Sequence, residues 1–318
     1  MDLTKLFLIK KFREYYERND IELPKEFEKR EFAVVPLESL PDFFMIRHLS
    51  FKSYNDFKSY IISKVPAHLY YSSAYYRYPE KEMDKKEWIK ADLIFDIDAD
   101  HLPVKASFEK LLEIAKREVK KLVTILKKDF GISDEFIKVY FSGHRGYHIH
   151  VFSEEYSYLS SAERREIVDY ITANNPLIFN GKKFHNSNIA LRVKRYVKKK
   201  TGKENISKKD LKIVNEALQK LRVHIDTVVT ADVKRLIRFP NSIHGKTGLR
   251  VVEVEDLKSF KPLRDSIAFS DNPVEVTVLK RVKINIGECK LNLHAGDRVK
   301  IPEYAAVFLL CRGSAKFG

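Results

Sequence analysis

Hydrophobic positions along the chain switch between two periods, and the switches divide it into elements. Leu3, Leu6, Phe7, Ile9, Phe12, Tyr15 and Tyr16 recur every three or four residues and predict an amphipathic helix at the start. Apolar runs over 31–35, 44–47 and 67–73 read as short strands, with a helix over 53–63 between the second and third. Phe108, Leu111, Leu112, Ala115, Val119, Leu122, Val123 and Leu126 mark a long helix that Gly131 closes. Strands over 136–141 and 147–152 enclose a tight loop, and Ser160-Ser161-Ala162-Glu163 has the spacing of a capping box that opens another helix. From about Asn174 to Leu221 the chain is polar, rich in Asn and Lys, and reads as a helical insertion on the rim of a core. Beyond Asp256 the period becomes two, through Val274, Val276 and Val278, then Val282, Ile284 and Ile286, then Leu291 and Leu293, then Val299 and Ile301. The expected fold is α+β (mixed α/β): a core over 1–255, with its helical, basic insertion at about 155–222, and a small β-rich C-terminal unit over 256–318.

One strand breaks the apolar pattern. Ala91-Asp92-Leu93-Ile94-Phe95-Asp96-Ile97-Asp98 is apolar enough to be buried, yet it carries Asp96 and Asp98 two residues apart. Side chains alternate along a strand, so the two carboxylates emerge on one face. Like charges held that close repel unless a cation lies between them. Mg²⁺ and Mn²⁺ take one or two carboxylates together with phosphate oxygens. A solvated strand end running into an acidic turn at Asp100 is the competing reading.

Composition narrows the partners. The 318 residues carry 59 Lys and Arg against 44 Asp and Glu, a net charge of +15, which suits a polyanion such as a nucleic acid ahead of a membrane surface. Thermal adaptation raises both signs together and does not explain the excess. Hydrophobic residues at 44% and aromatics at 12% are ample for a packed core. Two cysteines, Cys289 and Cys311, are too few for a disulfide framework and point to a reducing, cytoplasmic setting. The N-terminal helix lacks the features of a secretion signal, and no window is long and apolar enough to span a membrane.

Two further segments carry candidate chemistry. Ser142-Gly143-His144-Arg145-Gly146-Tyr147-His148 lies between strands; its glycines let backbone amides approach an anion, while Ser142, Arg145 and His148 offer a hydroxyl and charge. A structural turn is the plainer reading of such a hairpin. Between Val223 and Leu249, Asp226 sits in a β-type run and could complete a carboxylate triad, and Lys234, Arg235, Arg238, His244 and Lys246 follow closely. A carboxylate beside such cations is what a metal–triphosphate needs. Tyr75-Tyr76-Arg77-Tyr78 could stack on bases or cover a core edge.

The three segments, in this order, closely resemble the archaeo-eukaryotic DNA primase small (catalytic) subunit. Arg30-Glu31-Phe32 and Tyr71-Ser72-Ser73 share the likeness, which runs from about residue 30 to 255, and the tail resembles that of crenarchaeal-type members. The resemblance implies the primase fold and primer synthesis by two-metal nucleotidyl transfer. It makes Asp96, Asp98 and Asp226 the metal-binding catalytic aspartates. Ser142, Gly143, Arg145 and His148 become the nucleotide-binding hairpin, Arg238, His244 and Lys246 triphosphate contacts, and Arg47 a further one. It implies Mg²⁺ or Mn²⁺, nucleoside triphosphates, a single-stranded DNA template and a large regulatory subunit as heterodimer partner. One departure stands out. Archaeal members usually carry a Cys/His zinc knuckle between the acidic pair and the Ser-Gly hairpin, but residues 101–140 here offer only His101, so no structural zinc is expected. A repair or end-joining primase-polymerase, or a non-catalytic nucleic-acid-binding subunit, are the alternatives.

Overall fold

The computed structural model describes residues 2–99, 102, 105–174, 176–181 and 183–318. In chain order the elements begin with α1 (Leu3–Arg18), β1 (Phe32–Pro36), β2 (Ile46–Leu49), α2 (Tyr54–Lys64), β3 (Pro66–Ser72), β4 (Ala74–Tyr76) and β5 (Trp88–Ala91). Next come β6 (Leu93–Asp98), α3 (Phe108–Asp129), β7 (Ile137–Phe141), β8 (Gly146–Val151), α4 (Glu154–Ser157) and α5 (Ser161–Thr172). The short hairpin β9 (Phe179–Asn180) and β10 (Lys183–Phe184) precedes α6 (Asn188–Thr201), α7 (Leu211–Leu221) and α8 (Thr227–Ala231). The chain then runs through β11 (Leu236–Arg238), β12 (Val252–Glu253), α9 (Pro262–Asp265) and β13 (Pro273–Val278). It closes with β14 (Val282–Ile286), β15 (Cys289–Leu293), β16 (Arg298–Pro302), α10 (Glu303–Cys311) and β17 (Ala315–Phe317). The mixed α+β class is as expected.

Two compact units share the chain. The first takes the stretch ending at Asp92, Val139–His148 and Lys234–Gly318; the second takes Leu93–Lys138 and Ile149–Val233. The tail beyond Asp256 therefore belongs to the same unit as α1.

The first unit is built on the antiparallel sheet β11-β3-β1-β2. Phe32 from β1 packs its ring 5.2 Å from Phe51, 5.7 Å from Phe57 and 5.9 Å from Phe239, an aromatic core under one face of the sheet. Beside it lies a wholly buried cation. Arg30 pairs with Asp92 at 2.7 Å, donates to the carbonyls of Ser72 and Ser73 at 2.8 and 2.9 Å, and lies 3.5 Å over the Tyr75 ring. The Arg-Glu-Phe and Tyr-Ser-Ser segments thus meet as core. Tyr75 and Tyr76 are buried with them, so this aromatic stretch begins as a core edge; Arg77 is exposed and pairs with Glu87 at 3.0 Å. In the tail, β13 is flanked by β16 and β17. The sequence pattern misses α10, at whose end Cys311 lies. Its Ala305, Ala306, Val307, Phe308, Leu309 and Leu310 are all buried, and a helix covered on every side shows no polar stripe.

In the second unit β6 is an edge strand of its sheet, with Leu93, Phe95 and Ile97 buried and Asp96 and Asp98 partly exposed on the other face. α3 starts from the Ser107 cap and stops at Gly131, which takes φ +70° as a left-handed helix terminus requires. α5 opens with both arms of the capping box formed by Ser160 and Glu163. α6 and α7 bury a separate apolar cluster that includes Ile189, Val193, Val197, Val214 and Ala217. The basic run at the end of α6 and just beyond it faces outward and is partly answered locally: Lys198 pairs with Glu204, Lys200 with Glu216 and Lys203 with Asp210. Such exposed pairs contribute little stability, so this run reads as a solvated face. Asp100 and His101, the end of the acidic turn and the one zinc-ligand candidate, lie outside the described residues. Among the described residues, no helix is long and apolar enough to cross a membrane.

Candidate functional site

The acidic candidates all fall in the second unit. Asp96 and Asp98 share one face of β6, as alternation requires. Asp226 is not on a strand as expected. The β-branched run Val223–Val229 ends its extended course at Asp226, which becomes the N-cap of α8; its Oδ1 accepts from the amides of Val228 and Val229 at 3.0 and 3.3 Å. The Asp226 amide in turn donates to the Asp96 carbonyl at 2.8 Å, so two aspartates far apart in sequence are joined through their backbones. Among the described residues, no three His, Cys, Asp or Glu side chains converge on one point close enough to hold a metal ion. The donor types nevertheless suit a hard divalent ion: a same-face carboxylate pair on β6, and the carboxylate of Asp226, whose Oδ1 is engaged by two amides.

The cationic candidates fall in the first unit. Gly143, in the β7–β8 hairpin, takes φ +77°, and a Cβ there would stand 2.9 Å from His244 Cβ and 3.0 Å from the Leu249 carbonyl. Lack of a side chain therefore lets the hairpin nest against the loop 244–249, and Thr247 Oγ1 fastens it by donating to the Gly143 carbonyl at 2.5 Å. Ser142 Oγ accepts from the amides of His144 and Gly146 at 3.4 and 3.2 Å, which shapes the turn and leaves the hydroxyl proton to donate. The ring of His144 stacks on His244 at 4.8 Å, and His244 meets His68 edge-on at 4.9 Å. Arg238, on β11, donates from Nη1 to His68 Nδ1 at 2.8 Å and lies 5.1 Å over the Tyr70 ring. Lys246 is exposed at the rim.

These imidazoles are neutral. Burial, followed by the positive charges of Arg238 and Arg235, pushes His148 down to about 3. Burial and then Arg145, Arg312, Arg238 and Lys246 push His144 down to about 3 as well, and His244 falls well below its usual range for the same kinds of reason. His148 thus offers hydrogen bonds and not the charge expected of it. The positive charge of the cluster comes from Arg145, Arg238 and Lys246, with Arg312 close enough to act on His144. Sequence reading missed His68, His144 and Arg312 as members. His144 lies within the Ser142–His148 hairpin but carries no assigned role there, while no local pattern signals His68 on β3 or Arg312 at the end of α10.

Arg47 behaves differently. It makes a two-pronged pair with the buried Glu31, Nε to Oε1 at 3.0 Å and Nη2 to Oε2 at 3.3 Å, and the same carboxylate receives the His48 amide at 3.2 Å and stands 3.6 Å from Lys86. Its charge is answered within this network.

Gly248 supplies a test of how the loop is held. It takes φ +69°, and a Cβ there would overlap Val307 Cγ1 of α10. Gly248→Ala is expected to cost about 2–5 kcal/mol, combining the left-handed penalty with overpacking. Gly296→Ala, at φ +93° with nothing within 4 Å of the added Cβ, should show only the conformational part. Urea unfolding of the two variants side by side measures the difference; equal losses would remove the contact with α10 from the account.

Comparison with known proteins gives the family. Residues 95–256 match the family model for the DNA primase small subunit, a span holding Asp96, Asp98, the Ser142–His148 hairpin, Asp226, Arg238, His244 and Lys246. The chain is 57% identical to the DNA primase small subunit PriS of Archaeoglobus fulgidus over 335 residues, covering 99% of each chain. It is 36% identical to that of Methanococcoides burtonii over 390 residues, covering the whole of both, and 37% identical to that of Picrophilus torridus over 353 residues, covering 94% of each. With both acidic and cationic segments inside the matched span and likeness extending along almost the entire chain, this protein belongs to the DNA primase small subunit family.

Proposed function

We propose that the chain is the catalytic subunit of a DNA primase, a DNA-directed nucleotidyltransferase that builds short primers on single-stranded DNA from nucleoside triphosphates. The observation that supports it most is the hydrogen bond from the Asp226 amide to the Asp96 carbonyl, which brings the third aspartate to the strand that carries the other two. Asp96, Asp98 and Asp226 would hold divalent ions, Mg²⁺ or Mn²⁺, which when bound activate the attacking hydroxyl and offset charge on the α-phosphate. Arg145, Arg238 and Lys246 supply full positive charge for a triphosphate. Neutral His148, His144 and His244 and the Ser142 hydroxyl supply directed hydrogen bonds around it. In the reaction the primer 3′-oxygen bonds to the α-phosphorus as the bond to pyrophosphate breaks, and the hydroxyl proton passes to water. No protein nucleophile is needed. A large regulatory subunit as heterodimer partner and a cytoplasmic setting complete the reading.

The test is synthesis on unprimed single-stranded DNA with ribo- and deoxyribonucleotides supplied separately. Products are expected with Mg²⁺ or Mn²⁺ and none with excess EDTA, activity returning when the ion is restored. Incorporation that strictly needs a pre-existing 3′-hydroxyl would favour a repair or end-joining polymerase, and none under any condition would leave a binding subunit.

A further inference from the structure

We infer that His68 is a positioning residue for nucleotide binding: a neutral acceptor that aims Arg238 at the triphosphate without adding a negative charge beside it. The inference rests on the nucleotidyl-transfer reading and extends it to a side chain outside the predicted motifs, on the strand paired with β11.

Hydrogen-bond logic fixes the state of His68. An arginine guanidinium is always protonated and can only donate, so the 2.8 Å contact with Arg238 Nη1 requires a lone pair on His68 Nδ1. The Gly245 amide donates to the same nitrogen at 3.4 Å. Two donors converge on Nδ1, so that atom carries no proton and the ring is the neutral Nε2–H tautomer. The surroundings agree: burial first, then Arg238, Lys246 and His144, hold the imidazole far below its usual range, at about 2. His68 is 1% exposed on β3, two residues from Tyr70, the register partner of Arg238 on β11, and so on the same face of the strand as Tyr70. The loop is pressed onto the same strand, since a Cβ on Gly245 would stand 2.8 Å from Ala67 Cβ. The edge-on ring contact with His244 completes the arrangement. One imidazole therefore ties together Arg238, the backbone before Lys246, and His244.

The chemistry of the acceptor matters. Elsewhere in the same unit arginines are oriented by carboxylates, Arg47 by Glu31 and Arg30 by Asp92, and those pairs have their charge answered within the fold. A carboxylate at position 68 would aim Arg238 equally well and compete with phosphate for it. An imidazole lone pair aims it and adds no negative charge of its own beside it.

Three substitutions separate aiming from charge. Asparagine can place Oδ1 near the position of Nδ1, leucine removes the acceptor, and aspartate keeps an acceptor while adding charge. Affinity is read directly by equilibrium dialysis of ATP, and KM and kcat by single-nucleotide extension of a primed template with Mg²⁺, with thermal unfolding alongside. Expected: H68N stays within about threefold of the parent in Kd and KM, while H68L and H68D each weaken both by about tenfold or more, as for loss of a charged contact. H68D is expected to be at least as heat-stable as H68N, because it gains an ion pair. A purely structural His68 predicts the opposite order, affinity following stability, with H68D no weaker than H68N; that result overturns the inference. Unchanged affinity in H68L overturns it also. If the parent binds ATP with this order of variants but incorporates nothing, the inference stands and the nucleotidyl-transfer reading falls.

Discussion

Asp98→Ala is expected to lower nucleotide incorporation by about 10³-fold or more while the protein remains folded. A metal-binding carboxylate supports several kcal/mol of charge stabilisation in the transition state, and each 1.4 kcal/mol or so is a factor of ten. Stability should hold, because Asp98 is partly exposed at the end of an edge strand and the packing of β6 comes from Leu93, Phe95 and Ile97. Steady-state extension of a primed template, with circular dichroism as the control for folding, measures both halves. Near-normal turnover with Mg²⁺ as the only metal would remove Asp98 from the catalytic set. Loss of folding together with activity would make it a structural residue.

Arg30→Met is expected to produce the largest loss of stability, about 3–5 kcal/mol, because it strands Asp92 as a buried charge without its guanidinium partner. Arg30 is fully buried, and besides Asp92 it serves two backbone carbonyls and the face of Tyr75, so several polar groups each lose one partner at once. The double variant Arg30→Met/Asp92→Leu should recover a substantial part of the loss, since breaking a buried pair costs more than replacing both halves by apolar groups. Urea midpoints of the two proteins carry the comparison. A single variant within about 1 kcal/mol of the parent would mean that the network adds little beyond its packing, and a double variant no better than the single would place the cost in the carbonyls of Ser72 and Ser73.

The legible parts of this fold were those written in local periodicity. The alternation through Leu93–Asp98 gave the strand and the shared face of Asp96 and Asp98. The three- and four-residue spacing of α3 and the capping box of α5 were equally plain. The α10 helix was not, because Tyr304-Ala305-Ala306-Val307-Phe308-Leu309-Leu310 is apolar all round and has no polar face to set a period. Asp226 reads as part of a strand and instead caps a helix. Its neighbours Thr227, Val228 and Val229 are β-branched and favour strands, yet the carboxylate captures their amides and turns the chain into a short helix. The histidine cluster was hidden for a different reason: His68, His144 and His244 meet only through the pairing of β11 with β3 and the nesting of one turn against another. Motifs gave Arg238 its candidate role, while the group that aims it lies outside every motif.

The closing elements of the chain rest on its opening helix. Phe317 stacks on Phe7 at 4.4 Å, its amide donates to Thr4 Oγ1 at 3.0 Å, and Glu303 pairs with Lys11 at 2.7 Å. Thr4 and Phe317 are 313 residues apart, with the second unit between them, so these contacts close the longest loops in the first unit. α1 also packs on α2, close to it in sequence, and those contacts form at a far smaller cost in chain entropy. Refolding of the first unit is therefore expected to start from α1 and α2 and to finish when β17 and α10 reach α1, after the shorter loops within the second unit have closed.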